Sequence, residues 1–341
     1  MSRPTKPLQW GLIGASDIAS TRMIPAIIAQ KDSEIAAVMS SSDERAKRYA
    51  AENQIPKAYA KLDDLLSDEA IDVVYISTTN ELHKAQAIAA AKARKHILCE
   101  KPLALNLVDA YEMVRTARQE GVVFGTNHHL RNAATHRTLR RLVKEGAIGQ
   151  PLAARVFHAV YLPPRLQGWR LNRPEAGGGV IFDITVHDAD ALRFVLQNEV
   201  EDVVARSAQQ GLAQGRLEDA VMGVMHFTGG MLAQFHDAFT IGHTPTGLEV
   251  HGTEGSLVGV GIMTQEPVGA IFLQRGDHRE QIEPDGTEDL YVHQVRHFNE
   301  AARGNGEPFA TGEDGIRSLA VALAARESAQ SGRRVNVQYQ A

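Results

Sequence analysis

Ile97-Leu98-Cys99-Glu100-Lys101-Pro102-Leu103 is the stretch that decides the fold. An apolar run ends abruptly in a carboxylate, an ammonium and a proline. The run is too short for a helix and lies between two helical patterns, so it reads as a buried parallel strand. In open α/β sheets ligands sit outside the carboxyl ends of the strands. Glu100 and Lys101 would then stand at a binding rim. Pro102 removes a backbone donor and biases Lys101 toward extended backbone. A strand end with two solvated charges is the plain alternative, and the flanking sequence supplies the context.

Upstream, residues 8–13 read as a strand that runs into Gly14-Ala15-Ser16-Asp17-Ile18-Ala19. A helical stripe follows, with Ile18, Met23, Ile24, Ile27 and Ile28. Strand, tight turn and helix form the context of a dinucleotide fingerprint, where amides and a helix N-terminus face a pyrophosphate. The glycine pattern is degraded here to G-x-S-x-x-A. Gly14 keeps the turn, Ala19 permits close packing, and the Ser16 hydroxyl could donate to phosphate or cap the helix. A second strand, 34–39, ends in Ser40-Ser41-Ser42-Asp43-Glu44-Arg45. An NAD site places an acid at that point. Serines with a guanidinium suit a 2′-phosphate instead, although Ser capping of a solvated helix accounts for the same residues.

The rhythm continues through a short helix at 63–66 and a strand at 73–76. That strand ends in Ser77-Thr78-Thr79-Asn80-Glu81-Leu82-His83. Polar residues there fit a loop over a cofactor or, equally, a helix cap at Thr79 or Asn80. The helix 81–93, the 97–103 strand end, the helix 107–120 and the strand 122–126 follow, the last leading into Asn127-His128-His129. This alternation implies a mostly parallel, doubly wound sheet with helices on both faces.

Beyond residue 134 the pattern changes. A helix at 134–145 precedes a strand at 153–161 and the polar loop Gln167-Gly168-Trp169-Arg170-Leu171. Gly177-Gly178-Gly179 permits unusual dihedrals. In the following helical pattern Asp183 and His187 are four apart and would share a face. A carboxylate beside an imidazole can set its tautomer and raise its pKa, which suits proton transfer near neutrality. An ordinary i,i+4 pair at a helix start is the alternative. Strand-like runs at 200–207, 219–227, 231–239, 246–252, 256–260 and 270–274 imply an antiparallel sheet, hence an α+β second domain. Helices at 291–303 and 313–331 close the chain. The division expected is 1–127 and 128–341, with the last helix packing back on the first domain.

Composition narrows the function. The chain has 341 residues, 43% hydrophobic and 23% charged, as in a globular protein. A net charge of −5 gives no general attraction to nucleic acid or an anionic membrane. No stretch is apolar for long enough to span a bilayer. Residues 1–7 lack an apolar signal core and read as a frayed end. The single cysteine, Cys99, agrees with a reducing cytosol and reads as a core residue rather than a nucleophile. The fourteen histidines show no zinc-site spacing, and no metal is expected.

The Glu100-Lys101-Pro102 motif, the first 130 residues and the Asp183-x-x-x-His187 pair resemble the glucose–fructose oxidoreductase/inositol dehydrogenase/MocA family over nearly the whole chain. Runs at 11–16, 77–83, 125–132, 157–167 and 247–256 resemble an NADPH-dependent keto-sugar reductase branch of it. The resemblance implies NADP(H) contacts from Gly14, Ala15, Ser16, Asp17, Ile18, Ser40, Ser41, Arg45, Ser77, Thr78, Thr79, Asn80, Glu81, Leu82, Glu100, Lys101, Asn127, Trp169, Arg170 and Tyr291. It places Lys101, Asp183 and His187 around a sugar carbonyl. His187 would act as the acid, oriented by Asp183, with Lys101 polarising the oxygen; the exchange of the two donors stays open. The resemblance also implies a cis bond before Pro102; the cysteine usage points to a cytoplasmic enzyme, and monomer or homodimer stays open.

Overall fold

The computed structural model describes residues 6–340, so residues 1–5 of the frayed end expected over residues 1–7 lie outside the described residues. Six strands build the first sheet: β1 (Leu8–Ile13), β2 (Ser33–Met39), β3 (Lys57–Tyr59), β4 (Val73–Ile76), β5 (His96–Cys99) and β6 (Phe124–Thr126). All pair in parallel, in the order β3-β2-β1-β4-β5-β6. Leu12, Ile13, Val73, Tyr75, Ile97 and Leu98 are buried to within 1%, as the continuous apolar runs of a two-faced sheet require. The chain order reverses between β1 and β4. That reversal opens a crevice at the carboxyl ends, where doubly wound sheets bind ligands.

Nine strands build the second sheet: β7 (Pro151–Ala159), β8 (Val200–Ala208), β9 (Ala220–Phe227), β10 (Leu232–Ala238), β11 (Gly247–Gly252), β12 (Ser256–Val260), β13 (Ala270–Arg275), β14 (His278–Ile282) and β15 (Val335–Asn336). Their order is β14-β13-β12-β11-β7-β10-β9-β8-β15, and all pairs are antiparallel except β7 with β10. The helix Val186–Leu196 packs on β7 and on the helix Ala134–Lys144. Three edge strands, β3, β14 and β15, have no counterpart in the sequence reading. They are short or, like His278-Arg279-Glu280-Gln281-Ile282, carry charges in place of an apolar face, as protected edges do.

The chain divides into two units, residues 1–127 with 291–315, and residues 128–290 with 316–341. The second unit therefore does not run unbroken from residue 128. The helix Leu290–Ala302 supplies most of the returning segment. Phe298 lies against Trp10 with ring centroids 5.5 Å apart, and Asn299 Nδ2 donates to Ser33 Oγ at 2.6 Å. Thr311 bridges Gly125 in antiparallel fashion, which covers the β6 edge. Of the last helix, Gly312–Ser331, only the start belongs to the first unit; from Ile316 it belongs to the second.

Candidate active site

In the first unit every nucleotide-site candidate before residue 128 follows the carboxyl end of a strand. Gly14 to Ile18 follow β1, Ser40, Ser41 and Arg45 follow β2, Ser77 to Leu82 follow β4, Glu100 and Lys101 follow β5, and Asn127 follows β6. Gly14 has φ +114°, and a Cβ there would lie 3.1 Å from the Ser77 carbonyl, so only glycine lets the two loops approach. Ser16 Oγ donates to Ser77 Oγ at 2.7 Å and accepts from Ala19 N at 3.2 Å. The serine in the degraded fingerprint thus ties two loops and caps the helix. That helix opens as a π-turn, Ala19–Met23, before the α-turns Ile24–Ile28. Met23, Ile24 and Ile27 are buried, whereas Ile28 is exposed and leaves the expected apolar stripe.

Arg45 Nη2 donates to Ala15 O at 2.9 Å, and Tyr49 OH donates to Ser16 O at 2.9 Å. Ser42 caps the helix Asp43–Glu52 by accepting from Arg45 N, so Ser40 and Ser41 are spared that task. Thr79 occupies the N-cap position of the turn Asn80–Leu82 without a capping side-chain bond, which overturns that reading of Thr79. Residues Gly14, Ser16, Ser77 and Arg45 therefore fit a dinucleotide: a turn open to a pyrophosphate, two hydroxyls, and a guanidinium beside them.

The peptide bond Lys101–Pro102 is cis. Buried His83 bridges the loops on either side, its Nδ1 3.0 Å from Pro102 O and its Nε2 3.1 Å from Thr78 O. Burial lowers its pKa. Glu100 takes hydrogen bonds from Tyr75 OH and Asn127 Nδ2. Burial raises the Glu100 carboxyl, and Lys101, Tyr75 and Asn127 oppose the rise. Burial pushes the Tyr75 hydroxyl well up, and Glu100 and Tyr291 add to the rise; Tyr291 is itself buried. Tyr75 itself went unnoticed in the sequence because it sits inside an apolar strand. Burial pushes the Cys99 thiol far up, which removes it as a nucleophile.

In the second unit Trp169 and Arg170 lie on the short helix Gly168–Asn172. The guanidinium of Arg170 stacks 4.6 Å over the Trp169 ring and donates through Nε to Asp183 Oδ2 at 3.1 Å. The glycine run makes this approach feasible. A Cβ on Gly178 would lie 2.8 Å from Trp169 O, and one on Gly179 would lie 2.4 Å from Glu218 Oε1. Glu218 Oε1 accepts from Ile181 N at 3.1 Å and so anchors the next segment. That segment, Ile181–Thr185, is a π-helix that continues as the α-helix Val186–Leu196. Asp183 and His187 therefore do not share the uninterrupted α-helical face that their spacing implied. The π-turn re-aims side chains, as such turns do at functional sites.

Every residue from Val186 to Val195 is buried, including four ionisable ones. Each has a partner, as burial demands. Asp188 Oδ1 lies 2.7 Å from His158 Nδ1, Asp190 pairs with Arg131 at 2.7 Å, and Arg193 pairs with Glu199 at 2.6 Å. The His187 ring packs edge-on against His129 with centroids 4.6 Å apart, with His128 at 6.0 Å and His158 at 6.4 Å. The sequence reading quoted the run Asn127-His128-His129 but gave His129 no role, and it passed over His158 and Asp188, which no local pattern marks. Among the described residues no cluster of three or more His, Cys, Asp or Glu is placed to hold a metal ion, and no helix is long and apolar enough to cross a membrane.

The chain belongs to the Gfo/Idh/MocA oxidoreductase family. The family described as an oxidoreductase family with an NAD-binding Rossmann fold matches residues 8–128, and the GFO/IDH/MocA C-terminal domain matches residues 136–258. Within it, the chain is 54% identical to a 1,5-anhydro-D-fructose reductase of Ensifer adhaerens, over 97% of this chain and 98% of that protein. It is 26% identical to a myo-inositol 2-dehydrogenase of Thermotoga maritima over 96% of each. Among solved structures, an aldose–aldose oxidoreductase of Caulobacter crescentus complexed with glycerol superposes with TM-score 0.89 at 26% identity, covering 97% of this chain and 100% of that one. A 3-ketoreductase of Actinomadura kijaniata in complex with NADP and TDP-benzene superposes with TM-score 0.84 at 25% identity, covering 95% and 98%.

Proposed function

We propose that this chain uses NADPH to reduce the 2-keto group of 1,5-anhydro-D-fructose, giving 1,5-anhydro-D-mannitol. The observation that carries the reading is the 54% identity, along almost its full length, to a reductase of that substrate. Ser40, Ser41 and Arg45 at the end of β2, where an NAD site has an acid, support the phosphorylated cofactor. So does the NADP bound to the 3-ketoreductase.

When bound, the dinucleotide supplies the hydride. The protein must then bring a proton and positive charge to the carbonyl oxygen, which becomes an alkoxide. His187 gives the proton. Asp183, held by Arg170, orients the imidazole, and Lys101 polarises the oxygen and contacts the nicotinamide ribose. The remaining nucleotide contacts are those named from the resemblance, from Gly14 to Ile18 through Trp169, Arg170 and Tyr291.

The test is a panel of keto-sugars followed at the NADPH absorbance band, with NADH, and with NAD or NADP plus inositol, as comparisons and with products identified. Turnover of anhydrofructose with NADPH to the mannitol epimer is expected. Oxidation of inositol with NAD alone would replace the reading by a polyol dehydrogenase. Dinucleotide binding with no turnover of any sugar would replace it by a non-catalytic sensor.

A further inference from the structure

We infer that Asp188 and Asp237 form a buried acid pair that shares one proton and clamps the chain on both sides of His187. The four carboxylate oxygens can be accounted for one by one. Asp188 Oδ1 faces His158 Nδ1 at 2.7 Å, and Asp237 Oδ2 accepts from Thr185 Oγ1 at 2.5 Å. Among the described residues no donor reaches the other two, Asp188 Oδ2 and Asp237 Oδ1. Asp237 is the register partner of His158 across β10 and β7, so both carboxylates sit beside the same imidazole. Neither bare oxygen can serve the other unless one acid carries a proton, which then supplies the missing donor. Both residues have zero exposure, where two adjacent carboxylates cannot both ionise cheaply. Burial raises both acids in agreement.

The place of the pair gives it a task. Thr185 precedes His187 by two residues and Asp188 follows it directly. The pair therefore ties the π-to-α junction carrying His187 to Asp237 on β10 and to His158 on β7. The titratable and charged groups around it are His158, His136 beyond His158, His128 and His129 against His187, and the Arg131–Asp190 ion pair. Asp188 and Asp237 are positioning residues; they act on the substrate only through His187, and that consequence rests on the proposed reduction.

The test begins with infrared spectroscopy of the whole protein without substrate. A protonated-carboxyl stretch is expected at neutral pH, and Asp237→Asn should abolish it. Glu100 and Glu218 are also raised by burial, so loss in the variant assigns the band. Asparagine can donate to Asp188 Oδ2 and accept from Thr185, mimicking the shared proton. It should keep kcat within about tenfold, the range of one hydrogen bond exchanged for another. Asp237→Leu cannot mimic it and should lower kcat about 100-fold with little change in KM, as for a displaced catalytic group. If the leucine variant does not fold, the infrared comparison still decides. A spectrum unchanged by Asp237→Asn, or equal kcat losses in both variants, would overturn the pair. A band lost on mutation in a protein that reduces no keto-sugar would support the pair and overturn the proposed reaction instead.

Discussion

Asp183 Oδ2 accepts a hydrogen bond from Arg170 Nε at 3.1 Å, and the same guanidinium stacks on Trp169. A residue named for cofactor contact thus holds a residue named for catalysis. Arg170→Ala should therefore disturb both, with a higher KM for NADPH and a kcat lower by about tenfold to a hundredfold, the worth of a charge-assisted hydrogen bond. Arg170→Lys should not restore it, because an ammonium lacks the planar stacking face. Steady-state kinetics with both substrates varied will check this; a lysine variant with parental constants would refute the stacking role.

His187→Ala should lower kcat by about 100-fold or more if the imidazole is the general acid. The loss should be least when an external imidazole buffer is added. An unchanged kcat with a raised KM would move the proton to Lys101.

Arg45 donates to Ala15 O at the rim of the nucleotide loop. Arg45→Ala should raise KM for NADPH by about tenfold, one lost charge-assisted bond to phosphate, and leave KM for NADH unchanged. Equal effects on both cofactors would show a structural role in the loop instead.

Gly179 has φ +102°, and a Cβ would lie 2.4 Å from Glu218 Oε1. Gly179→Ala should cost about 1–3 kcal/mol from backbone strain, plus whatever Glu218 loses when displaced from Ile181 N. Chemical denaturation will measure it. Glu218→Gln in the same background should not rescue the loss, because the dihedral is unchanged.

Buried His136 has its pKa lowered to about 3, chiefly by burial and further by His158. The unfolded chain takes up a proton near 6.5 and the folded one does not, so stability falls as pH drops from about 6.5 toward 3. His136→Gln should flatten this acid limb relative to the parent. Thermal melts over that pH range will show it, and parallel curves would contradict it.

Much of the first unit was legible because parallel strands buried on both faces announce themselves as apolar runs. The strand ends at Gly14, Ser77, Glu100 and Asn127 then locate the rim by topology alone. The second unit was legible in class but not in register, and its edge strands were invisible because they carry charges. The spacing of Asp183 and His187 marked a helical segment, but an α-periodic pattern cannot reveal the π-turn inserted in it.

The order of residues by itself determined the doubly wound half, the mostly antiparallel second sheet, and the residues on which a dinucleotide and a carbonyl chemistry could be hung. The elements follow from periodicity and turn chemistry, which are local, and the full set of site residues follows from the family resemblance. Only the folded chain decided that Tyr75 and Asn127 meet on Glu100, that Arg170 holds Asp183, and that Asp188, Asp237 and His158 gather behind His187. Those meetings join residues up to 79 positions apart, from His158 to Asp237, and burial shifts the acids among them; neither distance nor dielectric is written in a local pattern.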